Sequence, residues 1–154
     1  MSSPPPSRPS ASDSSEAEQP LSGIRAFVVD DQRAQVDVVR DLLEDAGAAV
    51  VGTTDPVAMS ELLQAQTTDI LIADVVMPVM DGWELFARMR ALPHHQKTPV
   101  LFMTFLADPA RMDHYTQGDG RCRVISKPFH RVDLIAHVRD MVRGLQNTPG
   151  PAEA

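Results

Sequence analysis

The sequence predicts an α/β fold, a doubly wound (βα)5 sandwich in which one five-stranded parallel sheet carries helices on both faces. Short apolar runs alternate along the chain with stretches of helical periodicity. Strict alternation favours a parallel sheet, because right-handed crossovers place a helix over each connection. The 154 residues, of which 43% are hydrophobic, suit one domain with one buried core.

The predicted strands are short segments rich in apolar and β-branched residues. Nearly all of their side chains are apolar, and polar residues come where the strands end. The five strands are predicted at residues 25–29, 48–52, 70–73, 100–103 and around 124–125.

The predicted helices lie between the strands, where apolar residues recur with the spacing of one helix face. Asp55 before Pro56 is typical of an N-cap followed by proline at the first helical position, and Gly47 suits the position after a helix end. The helices are predicted at residues 33–46, 56–64, 83–92 and 132–145, with a weaker one after Asp108.

The two ends of the chain differ from its centre in composition. Residues 1–22 contain eight Ser and five Pro but almost no apolar side chains, so burial there cannot offset the entropy of ordering. Residues 146–154 have the same character. We therefore predict a disordered tail at 1–22, a folded domain at 23–145 and a second disordered tail at 146–154.

Composition argues against several classes of function. The net charge is −7 and the only lysines are Lys97 and Lys127, which disfavours binding to a nucleic acid backbone. The single cysteine, Cys122, excludes an internal disulfide and a Cys-rich zinc site, and we expect its thiol to be inert. No segment is long and apolar enough for a membrane span, and no signal peptide precedes the domain. We expect a soluble, cytoplasmic protein without membrane contact.

Polar residues follow the predicted strands at the edge where ligands bind in open α/β sheets. Strand 1 ends in Asp30 and Asp31, strand 3 in Asp74, strand 4 in Thr104, and strand 5 is followed by Lys127. Three carboxylates at one edge repel each other, and an all-oxygen site of this kind suits Mg²⁺. Asp74 can then act as a nucleophile toward a phosphoryl group that Thr104 and Lys127 contact.

Four motifs in this order resemble the receiver domain of two-component response regulators. They are VVDD at 28–31, LIADVVMPVMDGWEL at 71–85, VLFMT at 100–104 and ISKPF at 125–129. The resemblance covers about residues 23–145 and implies the flavodoxin-like receiver topology. It also implies a single-domain switch that accepts a phosphoryl group from a sensor histidine kinase or a histidine phosphotransfer protein and signals by docking to a downstream protein. No output domain is expected, because the chain ends about nine residues after the last predicted helix.

The resemblance assigns a role to each residue at the edge of the sheet. Asp74 is implied to be the phosphoacceptor. Magnesium, or manganese as a substitute, is implied to bind Asp30, Asp31, Asp74 and the main-chain carbonyl of Val76. Thr104 and Lys127 are implied to contact the phosphoryl group. The Lys127–Pro128 peptide bond is implied to be cis, and Pro78, Asp81 and Gly82 to shape the turn into the third helix.

The chain also departs from the family pattern. Phe105 stands where a small residue usually follows the threonine, and Val124 stands where many receivers have an aromatic switch residue. The residues two positions after Asp74 and Thr104 are Val76 and Leu106. Neither can orient a water molecule, so we predict slow self-dephosphorylation as the only catalysis besides phosphoryl acceptance.

Particular residues argue for or against other functions on the same fold. A phosphatase of the haloacid dehalogenase type needs a second Asp two residues after the nucleophile, where this chain has Val76. A flavin or dinucleotide site needs a Gly-rich or hydroxyl-rich loop after strand 1, where residues 30–33 are Asp-Asp-Gln-Arg. A degenerate receiver that binds partners without phosphorylation stays open as an alternative. His94 and His95 lack a third partner at metal-ligand spacing, so both are predicted to be exposed to solvent.

Overall fold

The central feature of the structure, a computed structural model, is the parallel sheet that the sequence predicts. Residues 19–105 and 119–147 are described. Within them every strand pairing is parallel and the spatial order is β2-β1-β3-β4-β5. The strands are β1 (Arg25–Val29), β2 (Ala49–Thr53), β3 (Ile70–Asp74), β4 (Val100–Thr104) and β5 (Cys122–Ser126).

Four α-helices among the described residues cover the two faces of this sheet. They are α1 (Arg33–Asp45), α2 (Pro56–Ala65), α3 (Gly82–Arg90) and α4 (Arg131–Asn147), and a 3₁₀ turn spans Pro93–His95. Helices α1 and α4 pack in one apolar cluster, and helices α2 and α3 pack in the other. The doubly wound α/β prediction is therefore confirmed.

Alternate residues of each central strand enter opposite clusters, as the period of a strand requires. In β1, Val28 faces α1 and α4, whereas Phe27 faces α2 and α3. In β4, Met103 and Phe102 divide in the same way. Burial on both faces explains why these strands read as continuous apolar runs rather than as an alternating pattern.

The predicted element boundaries differ from the observed ones by a few residues at most. The strands β3 and β4 extend through Asp74 and Thr104, so both polar residues are the last residues of their strands. Asp55 caps α2, since its side chain accepts a hydrogen bond from the Val57 N–H at 2.9 Å. The helix predicted after Asp108, Leu106 and most of both predicted tails lie outside the described residues.

The start of the folded domain is a correction to the prediction. Leu21, which the sequence analysis placed in the N-terminal tail, is fully buried and belongs to the α1 and α4 cluster. The Leu21 N–H donates to the Ala46 carbonyl at 2.8 Å, and the Leu21 carbonyl accepts from the Ile24 N–H at 3.0 Å. A lone leucine in a Ser- and Pro-rich stretch has no periodicity, so only its packing identifies it as core.

His95 is a second correction. Its ring is buried, where Nε2 donates to the Gln66 carbonyl at 2.8 Å and Nδ1 lies 3.0 Å from the Thr98 hydroxyl. His94 is exposed, as predicted, although its Nε2 donates to the Leu63 carbonyl at 2.8 Å. The two rings connect the 3₁₀ turn to the end of α2. This contact is invisible to local periodicity because it joins segments about 30 residues apart.

Among the residues that the structure describes, none of the helices has both the length and the apolar character needed to span a bilayer.

Candidate functional site

The predicted site residues meet at the carboxyl edge of the sheet. Asp30 directly follows β1, Asp74 and Thr104 end β3 and β4, and Lys127 directly follows β5. These four strands are consecutive neighbours in the sheet and all run in the same direction, so their ends converge. Asp30, Asp74, Thr104 and Lys127 are all buried.

Lys127 joins the two buried carboxylates. Its Nζ lies 2.7 Å from Oδ2 of Asp30 and 3.4 Å from Oδ2 of Asp74. The other oxygen of Asp30 accepts a hydrogen bond from the Gln32 N–H at 3.0 Å. The sequence placed Lys127 at a phosphoryl group and Asp30 at a metal, but did not predict this direct pair. No sequence pattern marks it, because 97 positions separate the two residues.

The acidic residues form one cluster. Carboxylate oxygens of Asp30, Asp31 and Asp74 all lie within 4.8 Å of one another, with Asp31 exposed and the other two buried. One ammonium cannot balance three carboxylates. Hard oxygen donors with excess negative charge fit Mg²⁺ or Mn²⁺, so the donor set is compatible with the predicted metal.

The pKa of Asp74 reflects its burial and the excess of negative charge in this cluster. Burial raises the pKa of Asp74 above its ordinary value of 3.8, and the neighbouring Asp30 raises it further. The Lys127 ammonium and the Val76 N–H, which donates to Oδ1 of Asp74 at 3.4 Å, act in the opposite direction. A further cation beside Asp74 would therefore favour the ionised form of its carboxylate.

The loop after β3 packs tightly against the Asp74 main chain. The Gly82 N–H donates to the Val75 carbonyl at 2.8 Å, and a Cβ at Gly82 would lie only 2.5 Å from the Asp74 carbonyl oxygen. Asp81 caps α3 by accepting from the Glu84 N–H at 2.8 Å. The absence of a side chain at Gly82 lets α3 begin directly against the backbone of Asp74.

Comparison with protein families agrees with this geometry. Residues 26–139 match the model of the response regulator receiver domain. The match spans the sheet except for Arg25, the first residue of β1, and includes all four site-bearing strand ends.

The chain belongs to the response regulator receiver domain family.

Individual relatives show the same likeness. RcaC of Microchaete diplosiphon is 38% identical over 110 residues, which are 71% of this chain but 17% of RcaC. An uncharacterized 14.6 kDa protein of Leptolyngbya boryana is 37% identical over 89 residues, 58% of this chain and 68% of that protein. The receiver domain of a signal transduction histidine kinase from Syntrophus aciditrophicus is 27% identical with a TM-score of 0.71, covering 83% of this chain and 96% of that one.

The ends of β4 and β5 lie next to each other in this receiver domain. The Lys127–Pro128 peptide bond is cis, as the resemblance implied. The carbonyl of Thr104 accepts from the Lys127 N–H at 2.8 Å, which places the ends of β4 and β5 side by side. The phosphoryl contact of the Thr104 hydroxyl and the metal contact of the Val76 carbonyl stay predictions.

Two of the family departures lie at the mouth of the site. The side chains of Val76 and Phe105 are 60% and 69% exposed, which is high for large apolar residues. The Lys127 Nζ lies 5.3 Å from the centroid of the Phe105 ring, within the range of a cation–π contact. The sequence flagged Phe105 as unusual, but only the structure shows that the ring contacts the ammonium.

Cys122 lies away from these groups, in β5. Burial raises the pKa of its thiol to about 12, and the nearby Asp119 contributes to the rise. The thiol is therefore protonated at neutral pH and a poor nucleophile, in agreement with the prediction that it is inert.

Proposed function

We propose that this receiver domain is a phosphorylation switch that accepts a phosphoryl group on Asp74 in a Mg²⁺-dependent reaction. The donor is a sensor histidine kinase or a histidine phosphotransfer protein, and the signal passes on by docking to a downstream protein. The observation that supports this most strongly is that Asp74 lies within reach of both the acidic pair and the Lys127 ammonium.

The transfer uses the side chains already described. An oxygen of the Asp74 carboxylate attacks phosphorus, a P–O bond forms, and the bond from phosphorus to the donor nitrogen breaks with its electron pair left on that nitrogen. Bound magnesium supplies positive charge to the carboxylates and the phosphoryl oxygens. Asp30, Asp31, Asp74 and the Val76 carbonyl would hold it, while the Thr104 hydroxyl and Lys127 would contact the phosphoryl oxygens.

The contacts of the carboxylates support Asp74, rather than Asp30, as the nucleophile. Both oxygens of Asp30 already accept hydrogen bonds, from the Gln32 N–H at 3.0 Å and the Lys127 ammonium at 2.7 Å. The contacts of Asp74 to the Val76 N–H and Lys127 are both long, at 3.4 Å. Asp74 is therefore the buried carboxylate that is less engaged, and its oxygens are the better nucleophiles.

The cellular setting is part of the same proposal. A net charge of −7 and two lysines disfavour direct contact with nucleic acid, and a kinase-coupled switch of this composition would act in the cytoplasm. The chain spans 17% of RcaC and 68% of the Leptolyngbya protein, so what those whole proteins do is not transferred to it.

Intact-mass measurement after incubation with a small acyl phosphate and Mg²⁺ tests the acceptor assignment. We expect one phosphate on the wild-type protein, none in EDTA, and none on Asp74→Asn. The exposed Asp41→Asn provides the matched control and should gain phosphate normally. A phosphate retained on Asp74→Asn would disprove the assignment.

Metal binding is tested without phosphate. Because a divalent cation relieves carboxylate repulsion in the folded state only, millimolar Mg²⁺ or Mn²⁺ should raise the melting temperature of the wild-type protein. The rise should shrink in Asp31→Asn, which removes an exposed carboxylate of the cluster. A melting temperature that does not change during the titration would count against the metal site.

We further propose that the phosphoryl group on Asp74 is lost slowly. The side chain of Val76 is at the open mouth of the site and can neither donate nor accept a hydrogen bond, so it cannot orient an attacking water. Val76→Asn should shorten the lifetime of the phosphorylated protein, followed by intact mass after the donor is removed. An unchanged or longer lifetime would show that another feature controls hydrolysis.

A further inference from the structure

We propose that Phe105 is a positioning residue that holds the Lys127 ammonium at the acidic cluster and shields it from water. The contact itself is a property of the fold, and its effect on phosphoryl chemistry rests on the proposed function. The ring is 69% exposed, whereas the lysine that it contacts is only 7% exposed. The ring therefore lies between the buried ammonium and the solvent, and the buried polar group beside it is the informative feature.

The ammonium of Lys127 contacts two carboxylates and an aromatic ring. Its Nζ lies 2.7 Å from a carboxylate oxygen of Asp30, 3.4 Å from one of Asp74 and 5.3 Å from the centroid of the Phe105 ring. The negative face of the ring quadrupole attracts a cation, and this attraction strengthens where water is excluded. Because the ring is uncharged, it holds the ammonium without neutralising the positive charge that would interact with a phosphoryl group.

The position of residue 105 follows from the ends of two neighbouring strands. Thr104 ends β4, and its carbonyl accepts from the Lys127 N–H at 2.8 Å, so residue 105 is held beside Lys127 whatever its identity. The side chain at position 105 therefore determines what covers the side of the Lys127 ammonium that faces it. A small residue would leave that side of the lysine to water, and an aliphatic residue would cover it without attracting it.

Two consequences follow for the site. The Lys127 charge acts in a drier environment, where its interaction with carboxylate or phosphoryl oxygens is stronger than in bulk water. The ring also occupies space at the mouth, where water would reach the phosphorylated Asp74. We therefore expect Phe105 to slow the loss of the phosphoryl group.

The contact is tested by amine labelling, because the chain has only two lysines. Lys97 is exposed and serves as the internal reference, while Lys127 should react slowly with an N-hydroxysuccinimide ester of acetic acid. In Phe105→Leu, which keeps an apolar side chain but removes the ring, the Lys127 rate relative to Lys97 should rise roughly 2- to 30-fold. Phe105→Trp should restore slow labelling, and Val38→Leu, another exposed apolar position, should leave the ratio unchanged.

The outcomes separate the two proposals. An equal ratio in wild-type protein and Phe105→Leu, or a Trp variant that labels as fast as the Leu variant, would overturn the role of the ring. Circular dichroism checks that the variants are folded. In a second arm, phosphate on Phe105→Leu should decay faster than on wild-type protein, and an equal decay would overturn the effect on lifetime. If wild-type protein takes up no phosphate, the proposed function fails while the labelling result still decides the contact.

Discussion

The two ends of the sheet both bury polar groups, but they balance charge in different ways. At the amino end, Arg90 pairs with Asp119 at 2.8 Å, and His95 is a neutral ring between the Thr98 hydroxyl and the Gln66 carbonyl. At the carboxyl end, three carboxylates form one cluster, and the Lys127 ammonium pairs with two of them, Asp30 and Asp74. Buried charge without an equal partner is costly, so the amino end stabilises the fold, whereas the carboxyl end keeps an excess of negative charge, which is typical of a functional site.

The difference predicts opposite responses to substitution. Removing a polar group at the amino end should always destabilise the fold, because its partner is left unpaired. At the carboxyl end, removal of the lysine should destabilise strongly, whereas removal of the Asp74 carboxylate, whose pKa is raised by burial and by Asp30, should stabilise.

The largest effect is expected for Lys127→Met. The substitution leaves Asp30, which is completely buried, without its cation, and breaking a buried ion pair from one side costs about 3–5 kcal/mol. Urea unfolding in EDTA measures the loss. Lys97→Met, at an exposed site, should change stability by less than about 0.5 kcal/mol. Equal effects of the two substitutions would contradict the role of the buried pair.

The next effect concerns Leu21, which precedes β1 at the amino end. A chain that begins at Gly23 lacks this fully buried side chain and should lose about 3 kcal/mol of unfolding free energy. A chain that begins at Gln19 keeps Leu21 and should retain the stability of the full-length protein. If both truncated chains unfold at the same urea concentration, Leu21 is not part of the stabilising core.

Two glycines in helices differ in the space that an added side chain would have, which is very small at Gly82 and open at Gly144. Gly82→Ala places a Cβ 2.5 Å from the Asp74 carbonyl oxygen and should cost about 2 kcal/mol while disturbing phosphate uptake. A Cβ at Gly144, in α4, meets nothing within 4 Å, so Gly144→Ala should stabilise by about 0.5–1 kcal/mol. Similar stability changes at both positions would refute the steric argument.

Asp74→Asn should stabilise the metal-free protein by about 1 kcal/mol while abolishing phosphate uptake. Burial and Asp30 raise the pKa of Asp74, so the folded state disfavours the ionised carboxylate, and a neutral amide of the same shape removes that penalty. Thermal unfolding in EDTA at pH 7 measures the gain. A lower melting temperature than that of the wild-type protein would contradict the idea of excess negative charge.

The smallest effect is a pH dependence at the amino end. Burial lowers the pKa of His95 below its ordinary value of 6.5, so the unfolded chain takes up the proton first as the pH falls. The contribution of His95 is therefore fully present above about pH 6.5 and decreases below it. The stability difference between wild-type protein and His95→Gln should narrow from pH 8 to pH 5. A constant difference would show that the ring does not titrate on unfolding.

Local patterns were sufficient to predict most of the fold. The central strands β3 and β4 are apolar runs that end in one polar residue, and the helices have apolar residues at the spacing of one face, so windows of five to fifteen residues are sufficient to predict these elements. The polar residues at the strand ends follow from the same reasoning, since parallel strands end at one edge. This reasoning predicts that Asp30, Asp74, Thr104 and Lys127 lie at that edge, and the structure places all four there.

What the sequence by itself determined is the order of elements, their parallel arrangement and the polar residues that end the strands at the carboxyl edge. Only the tertiary structure decided that Leu21 and His95 are buried, that Lys127 pairs with Asp30, and that the Phe105 ring contacts its ammonium. Each of these contacts joins residues far apart in the chain or depends on how a single side chain packs. A periodic pattern reports the face of an element, but the partner that this face meets is set by the packing of the whole domain.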